Sequence, residues 1–299
     1  MILLQLIKRG NGCRHLSQSK QVRMKITDLI TYPIKSCKGT HLTHAPCNVR
    51  GIEHDRSMML VDSDGKFLTQ RVLPRMALIA PTMFEDTLTL TAPEMQPLSA
   101  EVGDHGQKYK VVVWRSTCEA VDQGDLFAQW LSDFLGAKVR LVRMADGHVR
   151  AVNPLFARQA GDQVGFADGY PYLLASEAAL ADLNSRLPAG IGPLPMDRFR
   201  PNIVIDGDPD QPYADDGWKD LQIGKLESGG MRFGNVKPCA RCAVPTIDQS
   251  TGIATGKEPT ATLAKYRLQN SDVMFGQNLI ALGTQTGVLK VGDELVVNG

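Results

Sequence analysis

The sequence predicts an α+β fold that is mostly β, built as a β-barrel or mixed architecture with a few short helices. Two observations predict it. Short β-branched or alternating runs recur along the chain between turn residues, and only three stretches carry a helical pattern. The chain also contains neither the glycine-rich fingerprint of dinucleotide-binding folds nor a Walker A motif, so a doubly wound nucleotide-binding sheet is not expected.

The predicted strands are compact runs of apolar or alternating residues. They lie at 58–61, 66–69, 87–91, 111–114, 139–142, 203–205, 288–291 and 294–297. The turn residues 62–65 and 292–293 each separate two of these runs, which predicts two β-hairpins. Residues 87–91 alternate strictly between threonine and leucine, as a half-buried strand should.

Three helices are predicted from apolar spacing and end signals. Residues 125–135 place their large apolar side chains on one stripe, and Gly136 follows as a stop. Ser176 can cap a helix that runs to Leu187, where Pro188 would end it. Pro259 can start a third, short helix.

The length of 299 residues allows one large domain or two of ordinary size. Residues 146–169 are rich in Gly, Asp and Pro, so we predict a boundary there, between domains at 24–145 and 146–299. Apolar residues make up 43% of the chain, which is enough for a substantial core. The net charge of +1 gives no global attraction to a nucleic-acid polymer or an anionic membrane.

The first 23 residues differ from the rest because they contain five basic residues and no acid. This composition is typical of a mitochondrial targeting segment, but a basic tail, or a true start at Met24, explains it equally. No apolar run approaches the roughly 18 residues of a transmembrane helix. Six irregularly spaced cysteines favour a reducing compartment. A bacterial chain would then be cytoplasmic, whereas a targeting role for residues 1–23 would predict a mitochondrial location.

The most unusual stretch is KPCARC at 237–242, with Cys239 and Cys242 two residues apart. Such a pair is found in zinc half-sites, in redox disulfides, around one reactive thiolate, or as two small buried side chains. Zinc would need distant partners, because all six histidines precede residue 150 and no second CxxC occurs. Lys237 and Arg241 would favour a thiolate, the form that binds metals or acts as a nucleophile.

Three further clusters could hold an anion. Lys35, Ser36 and Lys38 offer two ammonium groups and a hydroxyl in a predicted loop. Arg198 and Arg200 lie just before the strand at 203–205, and arginine suits bidentate phosphate binding. Arg56, the fourth candidate position, could equally pair with a neighbouring acid. Together with a soft thiolate, these clusters predict a phosphorylated cofactor that carries a metal.

Several stretches resemble the family of the mitochondrial amidoxime-reducing component and its bacterial relatives. They are YPIKSCKG at 32–39, SEAALADLNSRL at 176–187, RFRPNIV at 198–204, KPCARC at 237–242, TIDQSTG at 246–252, FGQ at 275–277 and KVGD at 290–293. The resemblance runs from Met24 to Asn298 and implies a MOSC β-barrel domain packed with an N-terminal MOSC-type β-barrel domain.

What the resemblance implies at the site is the molybdenum cofactor, Mo-molybdopterin. Cys242 would be the metal's protein ligand and the catalytic residue, whereas Cys239 would not be a ligand. The pterin and its phosphate would be bound by Lys35, Ser36, Arg56, Arg200, Asn202 and Arg241. Two positions depart from the family pattern: Gly169 stands where relatives carry a hydroxyl residue, and Asn278 where some carry tyrosine.

The implied activity is the reduction of N-hydroxylated compounds, namely amidoximes, hydroxylamines and N-hydroxylated bases. The cysteine spacing fits no ferredoxin cluster, so electrons are expected from a separate protein. Candidates are a cytochrome b5-type protein with its NADH reductase, or a ferredoxin or flavin reductase. Two alternatives remain open from the residues: a non-catalytic carrier of molybdenum cofactor or sulfur, and a thiol–disulfide protein that uses both cysteines.

Overall fold

The computed structural model describes residues 23–298. The segment at 1–23 lies outside the described residues except for Arg23, so its role stays a prediction. None of the helices in the described residues combines the length and apolar composition that crossing a membrane requires.

Within residues 23–298 the backbone forms 21 strands. The first eleven are β1 Met24–Thr31, β2 Thr40–Leu42, β3 His44–Asn48, β4 Gly51–Ile52, β5 Met58–Val61, β6 Ala80–Phe84, β7 Thr87–Thr91, β8 Leu98–Glu101, β9 Lys108–Val113, β10 Ser116–Asp122 and β11 Arg140–Met144. The other ten are β12 Tyr172–Ser176, β13 Ile203–Ile205, β14 Asp220–Ile223, β15 Met231–Ala240, β16 Ile247–Asp248, β17 Ile253–Ala254, β18 Leu268–Gln269, β19 Asp272–Leu282, β20 Gly287–Lys290 and β21 Glu294–Asn298.

The helices of the described residues are few and short, as predicted. The α-helices are α1 Asp125–Leu135, α2 Glu177–Ser185 and α3 Thr260–Leu263. Single 3-10 turns cover Pro74–Leu78, Met196–Arg198, Ala214–Gly217, Leu226–Ser228 and Val244–Thr246. The predicted α+β, mostly β fold class is therefore confirmed.

Seven strands close into a barrel. Their order around it is β12, β13, β1, β21, β14, β15 and β19, and β19 pairs back onto β12. The interior is apolar, with Leu29, Leu174, Phe233 and Leu279 all fully buried in one cluster. Closure brings backbones close at Gly276, whose φ is +78° and where an added Cβ would lie 2.6 Å from the Leu174 carbonyl oxygen. Only glycine fits such a position.

A second core lies beside the barrel. The sheet in the order β5, β11, β10, β9 packs on one side against α1, whose buried stripe includes Phe127, Leu131 and Phe134. The meander of β6, β7 and β8 contributes Leu88 and Leu90 to the same cluster. The strict alternation predicted for 87–91 is thus the signature of a strand with one buried face.

The predicted helix ends are confirmed at two points. Gly136 ends α1 in the left-handed conformation with a φ of +65°. The Ser176 side chain caps α2 by accepting a hydrogen bond from the backbone N–H of Ala179. This helix ends at Ser185, two residues before the predicted end at Leu187.

The two predicted hairpins have different outcomes. The first is confirmed: across the turn at 62–65, Phe67 forms an antiparallel bridge with Val61, the Asp62 N–H donates to the Lys66 carbonyl oxygen, and the Leu68 N–H donates to the Leu60 carbonyl oxygen. The strands predicted at 288–291 and 294–297 exist as β20 and β21, but β20 pairs with β3 whereas β21 pairs with β1 and β14. The hairpin prediction was wrong here because long-range partners, not the turn at Gly292, select the pairing.

β1, at the start of the described residues, belongs to the barrel, whereas Ile34 and Cys37 just after it lie in the second core. β1 pairs with β13 and β21, and β3 pairs with β20, so strands from both ends of the chain form one structure. The domain boundary between residues 145 and 146 stays a prediction. Residues 145–171 contain no strand beyond a bridge of Ala151 with Gln163, and this segment runs along the second core to the barrel.

Candidate functional site

One cavity contains all seven of the predicted site residues. It lies where loops around the second core meet the ends of the barrel strands. Its lining includes the predicted residues Lys35, Ser36, Arg56, Arg200, Asn202, Arg241 and Cys242. These residues come from four separate stretches of sequence, so the fold brings together side chains that are up to about 200 residues apart in the chain.

Three of the loops that supply these residues adopt unusual backbone conformations. The φ angles of Ser36, Arg56 and Arg200 are +67°, +44° and +56°, in the left-handed region that non-glycine residues seldom occupy. Each such residue costs on the order of 1–3 kcal/mol, and such strain concentrates at functional sites. Three strained residues around one cavity therefore support a binding function for it.

Lys35 is buried and held by two acceptors. Its ammonium donates to the Phe166 carbonyl oxygen at 2.8 Å and to the Asp168 carboxylate at 2.5 Å. Burial lowers the pKa of Lys35, while the Asp168 charge opposes that shift. Burial alone would raise the pKa of Asp168, but the Lys35 ammonium holds that pKa well below its usual range. The Asp168 carboxylate is therefore ionised near neutral pH.

Arg56 is fixed in place by its neighbours. Its Nη1 contacts both Asp55 carboxylate oxygens, at 2.8 and 2.6 Å, and donates to the Asn202 side-chain oxygen at 3.1 Å. Its Nη2 donates to the Arg200 carbonyl oxygen. The Asn202 amide in turn donates to the Ile30 carbonyl oxygen. Asn202 therefore joins Arg56 to β1 while it also lines the cavity, and its binding of a cofactor stays a prediction.

Arg200 is the group that most needs a partner. The residue is 9% exposed, and its Nη2 is buried without any hydrogen-bond acceptor. Its guanidinium lies 4.3 Å from the Tyr32 ring centre, and that of Arg56 lies 4.2 Å from the same point. Burial lowers the pKa of Arg200, and the charge of Arg56 adds to this shift. A buried guanidinium with an unused donor next to a second cation is suited to bind an anion.

The cysteine pair lies at the end of β15. Cys242 is exposed and Cys239 is partly buried, and both line the cavity. Arg241 donates from Nη1 to the Cys239 sulfur at 3.1 Å and from Nη2 to the Phe199 carbonyl oxygen at 2.6 Å, while its Nε is buried without a partner. No group of three His, Cys, Asp or Glu side chains converges as a metal site anywhere in residues 23–298, this pair included.

The TIDQSTG segment at 246–252 fastens this loop to the rest of the molecule. The Asp248 carboxylate accepts a hydrogen bond from Arg198 at 2.9 Å, and the Arg198 side chain is 4% exposed. Gln249 exchanges two hydrogen bonds with Gln70, at 2.9 and 3.0 Å, and Gln70 also donates to the Ser36 carbonyl oxygen. These contacts set the distance between the cysteine loop and the Ser36 loop.

Sequence reasoning missed part of the lining. Arg71, Trp114, Asp168, Tyr170 and Phe199 also face the cavity. Arg71, Trp114, Asp168 and Tyr170 stand outside the charged clusters identified from the sequence, and Phe199 lies within one of them but is an apolar residue that such a pattern does not mark. Asp168 could have been found from the departure at Gly169, because an acid followed by a glycine before a buried strand suggests a loop that faces a ligand.

The residues present fit a phosphorylated cofactor that carries its own metal ligands. The lining contains five cations, Lys35, Arg56, Arg71, Arg200 and Arg241, against the single carboxylate Asp168. Arg200 and Arg241 each hold a buried donor without a partner. The exposed Cys242 sulfur is a soft ligand of the kind that molybdenum takes. The chain thus offers an excess of cations and the exposed Cys242 thiol in the same cavity.

Comparison with known proteins first defines the class of this protein. Residues 23–138 match the MOSC N-terminal beta barrel domain family, and residues 161–296 match the MOSC domain family. The fold and cavity are therefore those of a MOSC-domain protein.

Individual relatives narrow this class to a family. The chain is 35% identical to human mitochondrial amidoxime-reducing component 1, over 92% of this chain and 83% of that protein. It is 33% identical to the bovine mitochondrial amidoxime reducing component 2, over 90% and 82% of the two chains. It is also 33% identical to the molybdenum cofactor sulfurase of Oryza sativa subsp. japonica, over 87% of this chain but 33% of that protein. The chain belongs to the family of the mitochondrial amidoxime-reducing components, as its motifs predicted.

Proposed function

We propose that this protein is a molybdenum-cofactor oxidoreductase that reduces N-hydroxylated compounds with electrons from a separate protein. The observation that carries the proposal is that Arg200, a buried residue with an unpartnered Nη2, lines the same cavity as the exposed Cys242. The names of the mammalian relatives support the reaction, and that of the rice sulfurase supports the cofactor.

The residues of the cavity divide into those that would hold the pterin with its phosphate and the one that would bind the metal. Arg200, Arg56, Ser36, Arg241 and Lys35 would hold the pterin and its phosphate through charge-assisted hydrogen bonds. Asn202 supports this group by bracing Arg56.

Cys242 would bind the metal and so place it at the exposed end of the cavity. When bound, the molybdenum cofactor supplies a two-electron redox centre that accepts the oxygen atom from nitrogen.

Reduction of an N–O bond to an amine and water consumes two electrons and two protons. The Lys35 ammonium holds a proton at Nζ next to Asp168, within this cavity.

Electrons come from a partner protein in this proposal. A cytochrome b5-type protein with its NADH reductase, or a ferredoxin or flavin reductase, would supply them. The relatives are named mitochondrial, which supports a mitochondrial location and with it a targeting role for residues 1–23. The alternative of a non-catalytic cofactor or sulfur carrier is not favoured, since the sulfurase match spans only 33% of that protein.

The test is turnover of benzamidoxime to benzamidine by the purified protein, followed by chromatography. Reduced methyl viologen should drive the reaction, while NADH should do so only after a donor protein and its reductase are added. Reduction with NADH alone would refute the need for a donor. Absence of turnover by molybdenum-loaded protein with either electron source would refute the reductase proposal and return the chain to the carrier role.

A matched pair of variants tests the anion site. Arg200→Gln should lower cofactor content about 10-fold or more, because a buried charge-assisted hydrogen bond contributes about 1.5–3 kcal/mol. Arg186→Gln is the control, since Arg186 pairs with Asp182 on the exposed surface of α2 and does not line the cavity. Equal cofactor content in the two variants would contradict the assigned role of Arg200.

A further inference from the structure

We infer that Trp114 is a specificity-determining residue that stacks on planar aromatic substrates at the mouth of the cavity. This inference rests on the proposed function and adds a preference for substrates whose N-hydroxylated group is conjugated to an aromatic ring. It depends on four features of Trp114: its position, its contacts, its exposure and its backbone conformation.

Trp114 occupies the tip of a hairpin. β9 ends at Val113, β10 begins at Ser116, and the two strands pair at that point, so Trp114 and Arg115 form a two-residue turn. The φ of Trp114 is +53°, in the region that such turns normally reserve for Gly, Asn or Asp. A bulky aromatic residue there is disfavoured, and its presence next to the cavity points to a role for the side chain.

Three contacts hold the indole in one orientation. Its Nε1 donates to the Asp168 carboxylate at 2.9 Å, its ring centre lies 5.1 Å from that of Phe67, and the Arg71 guanidinium lies 4.8 Å from it. Because Asp168 also pairs with Lys35, the indole is linked directly to the predicted cofactor-binding residues. The ring is therefore preorganised rather than free to move.

Despite these contacts, Trp114 remains 44% exposed while it lines the cavity. A tryptophan that only stabilises a fold is normally covered, since burial of its large apolar surface is what stabilises. A rigid indole that stays open to a cavity instead presents an unused aromatic surface. A flat, π-conjugated ligand would cover it.

A second aromatic side chain lines the same cavity. Tyr170 lines the cavity and makes an edge contact with Phe156, with ring centres 6.0 Å apart. The Lys237 ammonium lies 5.0 Å from the Phe156 ring centre, next to the same pair. Trp114 and Tyr170, from the two halves of the chain, thus line one cavity, and aromatic surfaces favour a planar ring over an aliphatic chain.

The test compares an aromatic with an aliphatic amidoxime. Wild type, Trp114→Leu and Trp114→Phe are assayed with benzamidoxime and acetamidoxime, using reduced methyl viologen as electron source. Trp114→Leu should raise KM for benzamidoxime about 10-fold, change KM for acetamidoxime less than about 2-fold, and leave kcat for both within about 2-fold. Trp114→Phe, which keeps a ring but loses the indole N–H, should recover most of the lost affinity.

Binding provides a second readout that needs no turnover. Calorimetric titration of benzamidoxime into the oxidised protein, without any reductant, should show the same 10-fold loss in Trp114→Leu. Trp130→Leu is the matched control, because Trp130 lies on α1, packs on Phe134 and does not line the cavity. It is expected to leave the ratio of the two KM values unchanged.

The outcomes separate the inference from the function on which it rests. If wild type reduces both compounds and Trp114→Leu keeps their KM ratio, the inference is wrong while the proposed function stands. If molybdenum-loaded wild type neither binds nor reduces either compound, the proposed function fails and the inference fails with it. Equal loss for both compounds in Trp114→Leu, without recovery in Trp114→Phe, would show a structural role through Asp168 and would also overturn the inference.

Discussion

The amide pair of Gln70 and Gln249 should contribute strongly to stability, because it is a closed and buried hydrogen-bonded unit. The two residues are 0% and 4% exposed, and each amide donates to the other. Gln249 also donates to the Ile247 carbonyl oxygen, and Gln70 to that of Ser36. Polar groups in this position can find no water when a partner is removed.

Gln249→Leu removes three of these four hydrogen bonds and leaves the Gln70 side-chain oxygen and the Ile247 carbonyl oxygen without donors. A buried polar atom left unpaired costs about 1–3 kcal/mol, so we expect the free energy of unfolding to fall by about 2–4 kcal/mol. Replacing both residues, as in Gln70→Leu/Gln249→Leu, should cost at least about 1 kcal/mol less than the sum of the two single changes. Each single variant leaves the remaining glutamine without its partner, whereas the double variant has no such glutamine, so the two losses are less than additive.

Urea unfolding followed by tryptophan fluorescence measures all three variants. Gln222→Leu is the matched control, since the partly buried Gln222 makes one hydrogen bond, to the Gly224 carbonyl oxygen, and does not line the cavity. It should cost less than about 1.5 kcal/mol. Additive losses in the double variant, or a cost for Gln249→Leu no larger than that of the control, would refute the account of these residues as a coupled brace.

Three further predictions concern pH, the cavity and the loop anchor. Burial raises the pKa of Asp215 to about 6, so the folded state binds its proton more tightly and stability falls as pH rises from about 4 to about 6. Asp215→Asn should therefore remove the pH dependence of the free energy of unfolding in urea between about pH 4 and pH 6, and should raise that free energy at pH 7 by up to about 3 kcal/mol. An unchanged pH dependence would contradict the raised pKa of Asp215 as its cause. An added Cβ at Gly169 meets no atom within 4 Å, so Gly169→Ser should keep the melting temperature of the wild type. The added hydroxyl can hydrogen-bond to the cofactor, so cofactor loss on gel filtration should slow about 2–10-fold. A lower melting temperature would show that the space is not free. Asp248→Asn should lower the free energy of unfolding, measured in urea, by about 3 kcal/mol, because the buried Arg198 charge loses its partner. The control Asp210→Asn, at an exposed position, should lower it by less than about 0.5 kcal/mol. Similar losses in the two variants would refute the role of Asp248 as an anchor.

Local patterns predicted the elements of the fold but not their partners. The stripe and stop signal of α1 and the cap of α2 depend on residues within a few positions, and the structure confirms them. Barrel closure depends instead on pairs such as Met24 with Leu295, which are separated by almost the whole chain. A turn such as Gly292-Asp293 cannot reveal that the strands on either side join different sheets, because packing of their apolar faces decides it.

The site divides in the same way. Lys35, Arg200 and Cys242 could be predicted because each stands in a short stretch whose charged or soft side chains have few structural explanations. Their exact surroundings could not: the unpartnered nitrogen of Arg200 follows from the packing of Arg56 and Tyr32 around it. Trp114 was missed because a tryptophan at the end of a β-branched run predicts a core residue, and only the turn geometry turns it towards the cavity.

Molybdenum content tests the central claim most directly. Wild type, Cys242→Ala and Cys239→Ala would be expressed in a host that makes the cofactor, and their metal would be quantified by elemental mass spectrometry. Near-stoichiometric molybdenum in wild type and Cys239→Ala, together with loss of the metal or of benzamidoxime reduction in Cys242→Ala, is the predicted result. Well-folded wild-type protein that contains no molybdenum would contradict the account and leave the cysteine pair to thiol chemistry.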